Sequence, residues 1–116
     1  MHEASIAQAL LDQALKALPN PRARITKISI VAGALSGIEP DSLNLYFEQL
    51  RLSTPAQNAG LEIKRVPATI ACKSCSFKQD YHPGDEMQTT CPLCSNPTKL
   101  TGTDDLYIDS IEIEED

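Results

Sequence analysis

Tryptophan is absent, and the whole chain carries five aromatic rings, three Tyr and two Phe. A core built on large rings is excluded, so the interior must be aliphatic, drawn from Ile, Leu and Val. No apolar run approaches the roughly 20 residues that span a bilayer. No basic stretch leads into an apolar one at the start, so no secretory signal is expected. The expectation is a soluble, cytoplasmic chain with no membrane partner. There are only two histidines, no Ser/His/Asp set and no glycine-rich phosphate loop. An enzyme active site is hard to assemble from what remains. Bases are also missing from one whole stretch. Residues 104–116 hold seven acids and no Lys or Arg, whereas residues 1–71 hold seven bases against six acids and residues 72–103 hold three of each. The net charge of −6 is thus a C-terminal property. With no basic cluster to neutralise phosphates, nucleic acid is disfavoured as a partner.

What is present, in 116 residues, fits one domain or two very small ones. Residues 4–18 read as an amphipathic helix. At 100° steps Ile6, Ala7, Leu10, Leu11, Ala14, Leu15 and Leu18 share one half of the wheel. Pro19-Asn20-Pro21 ends it. Residues 24–32 read as a strand, with Ile28, Ile30 and Ala32 alternating against Lys27, Ser29 and Val31. A turn over Gly33 to Gly37 leads to Glu39-Pro40-Asp41. That tripeptide starts a second helix, with proline at its favoured first position and acids at the positive end of the dipole. Leu43, Tyr46, Phe47 and Leu50 continue it on one face. Residues 61–71 read as a second strand interrupted near Pro67, an edge or a bulge. Residues 106–114 read as a third strand. Its parity changes at Asp109-Ser110, which predicts a bulge or bend.

The segment from 72 to 104 has too few apolar residues to fold on a hydrophobic core alone. It contains Cys72-Lys73-Ser74-Cys75 and Cys91-Pro92-Leu93-Cys94, which is C-x2-C-x15-C-x2-C, a zinc-site spacing. Each two-residue gap lets a tight turn aim two thiolates at one ion. Two such turns supply the four sulfurs of a tetrahedron. A site filled by four sulfurs keeps no open position, so it is structural rather than catalytic. Lys73, Lys78 and Lys99 offset part of its negative charge. Iron in a rubredoxin-like site shares the spacing, and two redox pairs or disulfides are the remaining alternative.

The opening Met1-His2-Glu3 carries a second metal chemistry. An initiator methionine is normally retained before a residue as bulky as histidine. The Met1 amine and the His2 amide nitrogen then close a five-membered chelate ring. That amide and Nδ1 of His2 close a six-membered one. Three coplanar nitrogens suit square-planar Ni(II) or Cu(II). Glu3 can add a backbone nitrogen, a carboxylate or a hydrogen bond to a ligand.

Met1-His2-Glu3 before an amphipathic helix, an α-β-α-β layout and paired C-x-x-C motifs ahead of a final strand together resemble the HypA/HybF family over essentially the whole chain. These are nickel-insertion accessory proteins of NiFe-hydrogenase maturation. The order of elements predicts an α+β fold, a small three-stranded sheet with two helices plus an inserted zinc-ribbon module, and the resemblance implies the same. It implies a nickel-binding domain of residues 1–71 and 105–116 and a zinc ribbon of residues 72–104. It implies a nickel metallochaperone rather than an enzyme. His2, with Met1 and Glu3, stands at the family's nickel position, and Cys72, Cys75, Cys91 and Cys94 at its structural zinc position, giving Zn2+ as resident metal and Ni2+ as cargo. The implied partners are a HypB-type GTPase and the hydrogenase large-subunit precursor, with urease served by some members. The chain itself is a monomer or homodimer. Family members often carry a histidine after a C-x-x-C pair; Ser76 and Ser95 stand there instead. His82 reads as a solvated loop histidine, with a transient metal contact as the alternative. The acidic end reads as a solvated strand face, or as an electrostatic handle for a basic partner. The rival function is a zinc-ribbon interaction or nucleic-acid-binding module without transferable metal.

Overall fold

The computed structural model describes residues 3–82 and 84–115. Helix α1 spans Glu3–Lys16 and buries Ala7, Leu10, Leu11 and Ala14, the stripe set by its sequence period. A last turn at Ala17 and Leu18, whose amides bond to Ala14 and Leu15, carries the chain to Pro19. Strand β1, Arg24–Gly33, is the centre of the first sheet. It pairs in parallel with β2, Gly60–Val66, and antiparallel with β6, Leu106–Glu114. Helix α2, Pro40–Leu50, is the crossover that a parallel pair requires. The Glu39 side chain caps it by accepting the Ser42 amide at 2.7 Å, and Pro40 sits where its missing N–H costs nothing.

Both helices cover one face of this sheet. Ile25, Ile28 and Ile30 of β1 meet Leu10 and Leu11 of α1 and Leu43 and Phe47 of α2 in one aliphatic core. Ile25 and Ile28 are three apart yet both buried, because a register shift between Ile25 and Lys27 resets the strand's parity. A second shift sets Ser29 opposite Ser110 and Ile30 opposite Ile108. Asp109 is the extra residue, at the position where the sequence parity breaks.

The stretch expected as one strand over 61–71 is two strands in different sheets. Pro67 has no amide to give a ladder. The chain leaves β2 at Val66 and enters β3, Ala68–Cys72. Strand β3 is the middle of a second sheet, between β4, Lys78–Tyr81, and β5, Thr98–Thr101, both antiparallel to it. Residue 72, expected to open the cysteine module, is therefore the last residue of β3. The two short outer strands were not foreseen; at four residues each they carry too little periodicity to read. The two sheets lie end to end in a molecule 61 × 22 × 16 Å.

The join between them is made by backbone. The turn after β1 holds both connecting segments. The Ala34 amide donates to Val66 at 2.8 Å, the Leu35 amide to Thr103 at 3.0 Å and the Gly33 amide to Asp105 at 2.8 Å. Gly102 lies tight on Ala68, whose Cβ would be 2.9 Å from any Cβ at residue 102.

Candidate metal centre

Two knuckles of the same construction build the cysteine cluster. In the first, the Cys72 amide donates to the Phe77 carbonyl at 3.0 Å, and the Ser74 amide points at Cys72 Sγ at 3.3 Å. In the second, the Cys91 amide donates to the Asn96 carbonyl at 2.8 Å, and the Leu93 amide points at Cys91 Sγ at 3.4 Å. Equivalent residues in the two C-x-x-C turns thus make equivalent bonds. The knuckle geometry brings Ser95 to a left-handed φ of 64°. Asn96 adds a side-chain donor, Nδ2 to Cys94 Sγ at 3.4 Å. No sequence signal marked Asn96 for that task.

The four sulfurs all lie within 4.8 Å of one another. Cys72 and Cys94 are 3.5 Å apart, and Cys75 and Cys91 3.6 Å. A tetrahedron of sulfurs, each about 2.3 Å from a zinc ion, has edges of about 3.8 Å. Disulfides are far shorter, about 2.05 Å, and all four cysteines are free. The donor set and spacing fit one tetrahedral ion. Cys72 and Cys91 are buried while Cys75 and Cys94 face outward, so the cluster is anchored from the ribbon interior and capped at the surface.

Ionisation follows the same geometry. The Ser74 amide draws the Cys72 thiol down to about 7, with the Cys94 thiol adding to it. Cys75 moves the other way, to about 12: the Phe77 amide lowers it, but desolvation and the surrounding Cys91, Cys72 and Cys94 sulfurs outweigh that pull. One thiolate is stabilised here and a second is resisted. A divalent cation reverses that resistance, since thiols release their protons to a metal. Lys78 and Lys99, expected to offset the charge of the cluster, both stand opposite Ala71, whose side chain lies on the other face of the ribbon sheet from that of Cys72.

The other expected site residues lie elsewhere. Met1 and His2 fall outside the described residues. Glu3 is the first residue of α1 and is half-buried. His82 is exposed, its Nδ1 3.6 Å from Asp85 Oδ2, within a loop closed by the Asp85 amide on the His82 carbonyl at 3.0 Å. Among the described residues, the four cysteines form a group of metal-ligating side chains, and neither Glu3 nor His82 joins it. Glu39, near the start of α2, is occupied as a helix cap.

A family model described as hydrogenase/urease nickel incorporation, metallochaperone, HypA matches residues 1–113. The hydrogenase maturation factor HypA of Shewanella baltica is 35% identical over 100% of this chain and 98% of its own. The factor of the same name from Dehalococcoides mccartyi is 33% identical over 100% and 97%. The solution structure of the nickel metallochaperone HypA from Helicobacter pylori superimposes with a TM-score of 0.62 at 21% identity, covering both chains completely; it shares the fold. A model spanning nearly the whole chain, and relatives a third identical from end to end, place this protein in the HypA family, nickel-incorporating metallochaperones of hydrogenase maturation and not enzymes.

Proposed function

We propose that this chain carries Ni(II) at its N-terminal tip and surrenders it to the hydrogenase large-subunit precursor, in the cytoplasm and together with a HypB-type GTPase. The Met1 amine, the His2 amide nitrogen and the His2 imidazole hold the cargo, with Glu3 beside them. Zinc bound by Cys72, Cys75, Cys91 and Cys94 ties the two knuckles together and does nothing further. On this reading the first sheet with its two helices handles nickel, and the ribbon, whose sheet begins with β3 at Ala68, is a rigid companion.

The carrying observation is the closed sulfur cluster. Four cysteines gathered within 4.8 Å satisfy a tetrahedral ion with no position left for an exchanging ligand. A cargo ion that must enter and leave needs a second, open site. Of the two histidines in the chain, His82 stands exposed in a ribbon loop with its Nδ1 3.6 Å from Asp85 Oδ2, whereas His2 follows Met1, where amine, amide and imidazole nitrogens can close adjoining chelate rings. A site of few, exposed ligands suits transfer, since incoming donors attack while outgoing ones depart. The mechanism is ligand exchange: each nitrogen is released as a donor of the recipient takes its place, and the amide nitrogen regains its proton on release.

The test is nickel titration of the untagged chain and of His2→Ala, with zinc quantified in both. The expected result is loss of nickel binding in His2→Ala with zinc unchanged at one per chain. Unchanged nickel affinity in that variant overturns the site. A wild-type chain indifferent to nickel leaves a zinc-ribbon interaction module as the answer. Acetylating the Met1 amine should weaken nickel binding; equal affinity removes the amine from the ligand set.

A further inference from the structure

We propose that the outer edge of β6 receives an extended segment of a partner protein, alternately basic and apolar, which pairs as a fourth strand of the first sheet. The sheet order is β2-β1-β6, so β6 pairs with β1 on one side and, among the described residues, with nothing on the other. Its nine residues present about 30 Å of outward-facing backbone donors and acceptors. Such an edge is a template for strand addition. Proteins usually blunt one with lysine, proline or a bulge. Strand β6 has neither lysine nor proline; its bulge at Asp109 and its acids guard it against like-charged strands and leave it open to one of opposite charge.

Beside this edge runs a groove of about 200 Å³ between α1 and β6, lined by Gln13, Ala14, Ala17, Ile108, Ser110 and Ile111. On the helix side it is lined by small residues, Ala14 of α1 and Ala17 of the turn that follows. A strand laid along β6 points alternate side chains to the helix face and to the open face. Its apolar side chains enter the groove. Those between them emerge beside Tyr107, Glu112 and Glu114, all exposed.

Charge decides what those intervening side chains are. From residue 104 to the end there are seven acids and no base. The cations of the neighbouring strand satisfy them only in part, and Lys27 gives Glu112 its field but not its hydrogen bond. Lys27, opposite Glu112, is bound to Glu62 at 2.9 Å. Arg24, opposite Glu114, gives Nη1 to the carbonyls of Pro21 and Ala23. A strand bearing Lys or Arg on the open face therefore meets carboxylates whose charge is only partly offset. A second β6 meets its own charge and is repelled. The other edge of a second copy, β2 with Lys64 and Arg65, is charge-compatible. A β2–β6 union is head-to-tail, however, and propagates without closing. The occupant that fits is a foreign basic segment.

The probe is a capped nine-residue peptide alternating lysine and valine, added to the zinc-loaded full chain without nickel, so that the outcome is independent of cargo binding. Glutamate–valine and lysine–serine peptides are the controls. Expected are amide shifts and slowed hydrogen exchange confined to residues 106–114 and the facing turn of α1, with both controls at least about tenfold weaker. Asp109→Lys with Glu114→Lys, both exposed, should weaken the lysine–valine peptide by about tenfold or more and favour the glutamate–valine one. Ala17→Phe, which fills the groove from the helix side, should weaken binding with the charges intact. Equal binding of lysine–valine and lysine–serine without added amide protection overturns the proposal in favour of a diffuse acidic patch. Shifts mapping to another surface overturn it, as does protection of β6 that rises with protein concentration in the absence of peptide, which makes a second copy the occupant.

Discussion

A methyl group placed on Gly33 would sit 2.1 Å from the carbonyl oxygen of Thr103, so the end of β1 and the segment returning from the ribbon touch backbone to backbone. The same glycine donates its amide to Asp105. Gly33→Ala must push the returning segment away and strain that bond. Overpacking of this kind costs about 1–3 kcal/mol, and a backbone neighbour cannot swing aside as a flexible side chain does. Gly60→Ala, where a Cβ meets nothing within 4 Å, should stay within about 0.5 kcal/mol of wild type. Urea unfolding at saturating zinc compares the two; equal midpoints contradict the contact.

In the core over the first sheet, Phe47 of α2 is the one aromatic ring and is 1% exposed. Phe47→Ala leaves a cavity that small aliphatic neighbours cannot refill and should cost about 3–5 kcal/mol. That approaches the total stability of a small domain, so the variant is expected to be largely unfolded at 37 °C. Leu45→Ser, two residues earlier on the exposed face of α2 at 56%, should change stability by no more than about 0.5 kcal/mol. Circular dichroism melts separate the two outcomes.

Much of this was legible in the sequence where a long element buries one face. The stripe of α1, the Glu39-Pro40 start of α2 and the parity break at Asp109 are all strong local signals, and each stands where the pattern puts it. The cysteine spacing likewise announced that the four sulfurs would gather at one point. What escaped was non-local. Nothing in residues 61–71 says that Val66 and Ala68 join different sheets, because the change depends on what each half pairs with. Nothing in the turn after β1 announces that it bonds to both connectors, since backbone amides carry no side-chain signature. Asn96 looks like any loop asparagine until Cys94 is placed beside it.

Metal removal should act on one sheet and spare the other. In the ribbon, the buried apolar positions are Ala68, Ile70, Cys72 and Cys91, too few to offset the entropy of ordering it. The first sheet has its own core. A strong chelator is expected to abolish hydrogen-exchange protection over 68–72, 78–81 and 98–101 while the amides of β1 stay protected. Simultaneous loss in both sheets would show that the backbone join couples them into one folding unit. Cys91→Ser, which removes a buried sulfur of the cluster, should reproduce the chelator's pattern with zinc present.

The cap of α2 gives a pH dependence of defined sign. The Ser42 amide, with the charge of Arg65 adding to it, holds the Glu39 carboxyl below its ordinary value of 4.5. The folded state therefore binds this proton less readily than the unfolded one. The resulting stabilisation is fully present above the unfolded value and is lost as pH falls through the folded one. Glu39→Gln keeps an oxygen to accept the Ser42 amide but cannot ionise. Wild type should melt higher than the variant at neutral pH, with the difference shrinking as pH falls from about 6 to about 3. The side chain is exposed and screened, so the difference should also narrow with added salt. Parallel melting curves across that range would mean the carboxylate contributes no more than an uncharged acceptor, and that the helix start rests on Pro40 and the burial of Leu43 and Phe47.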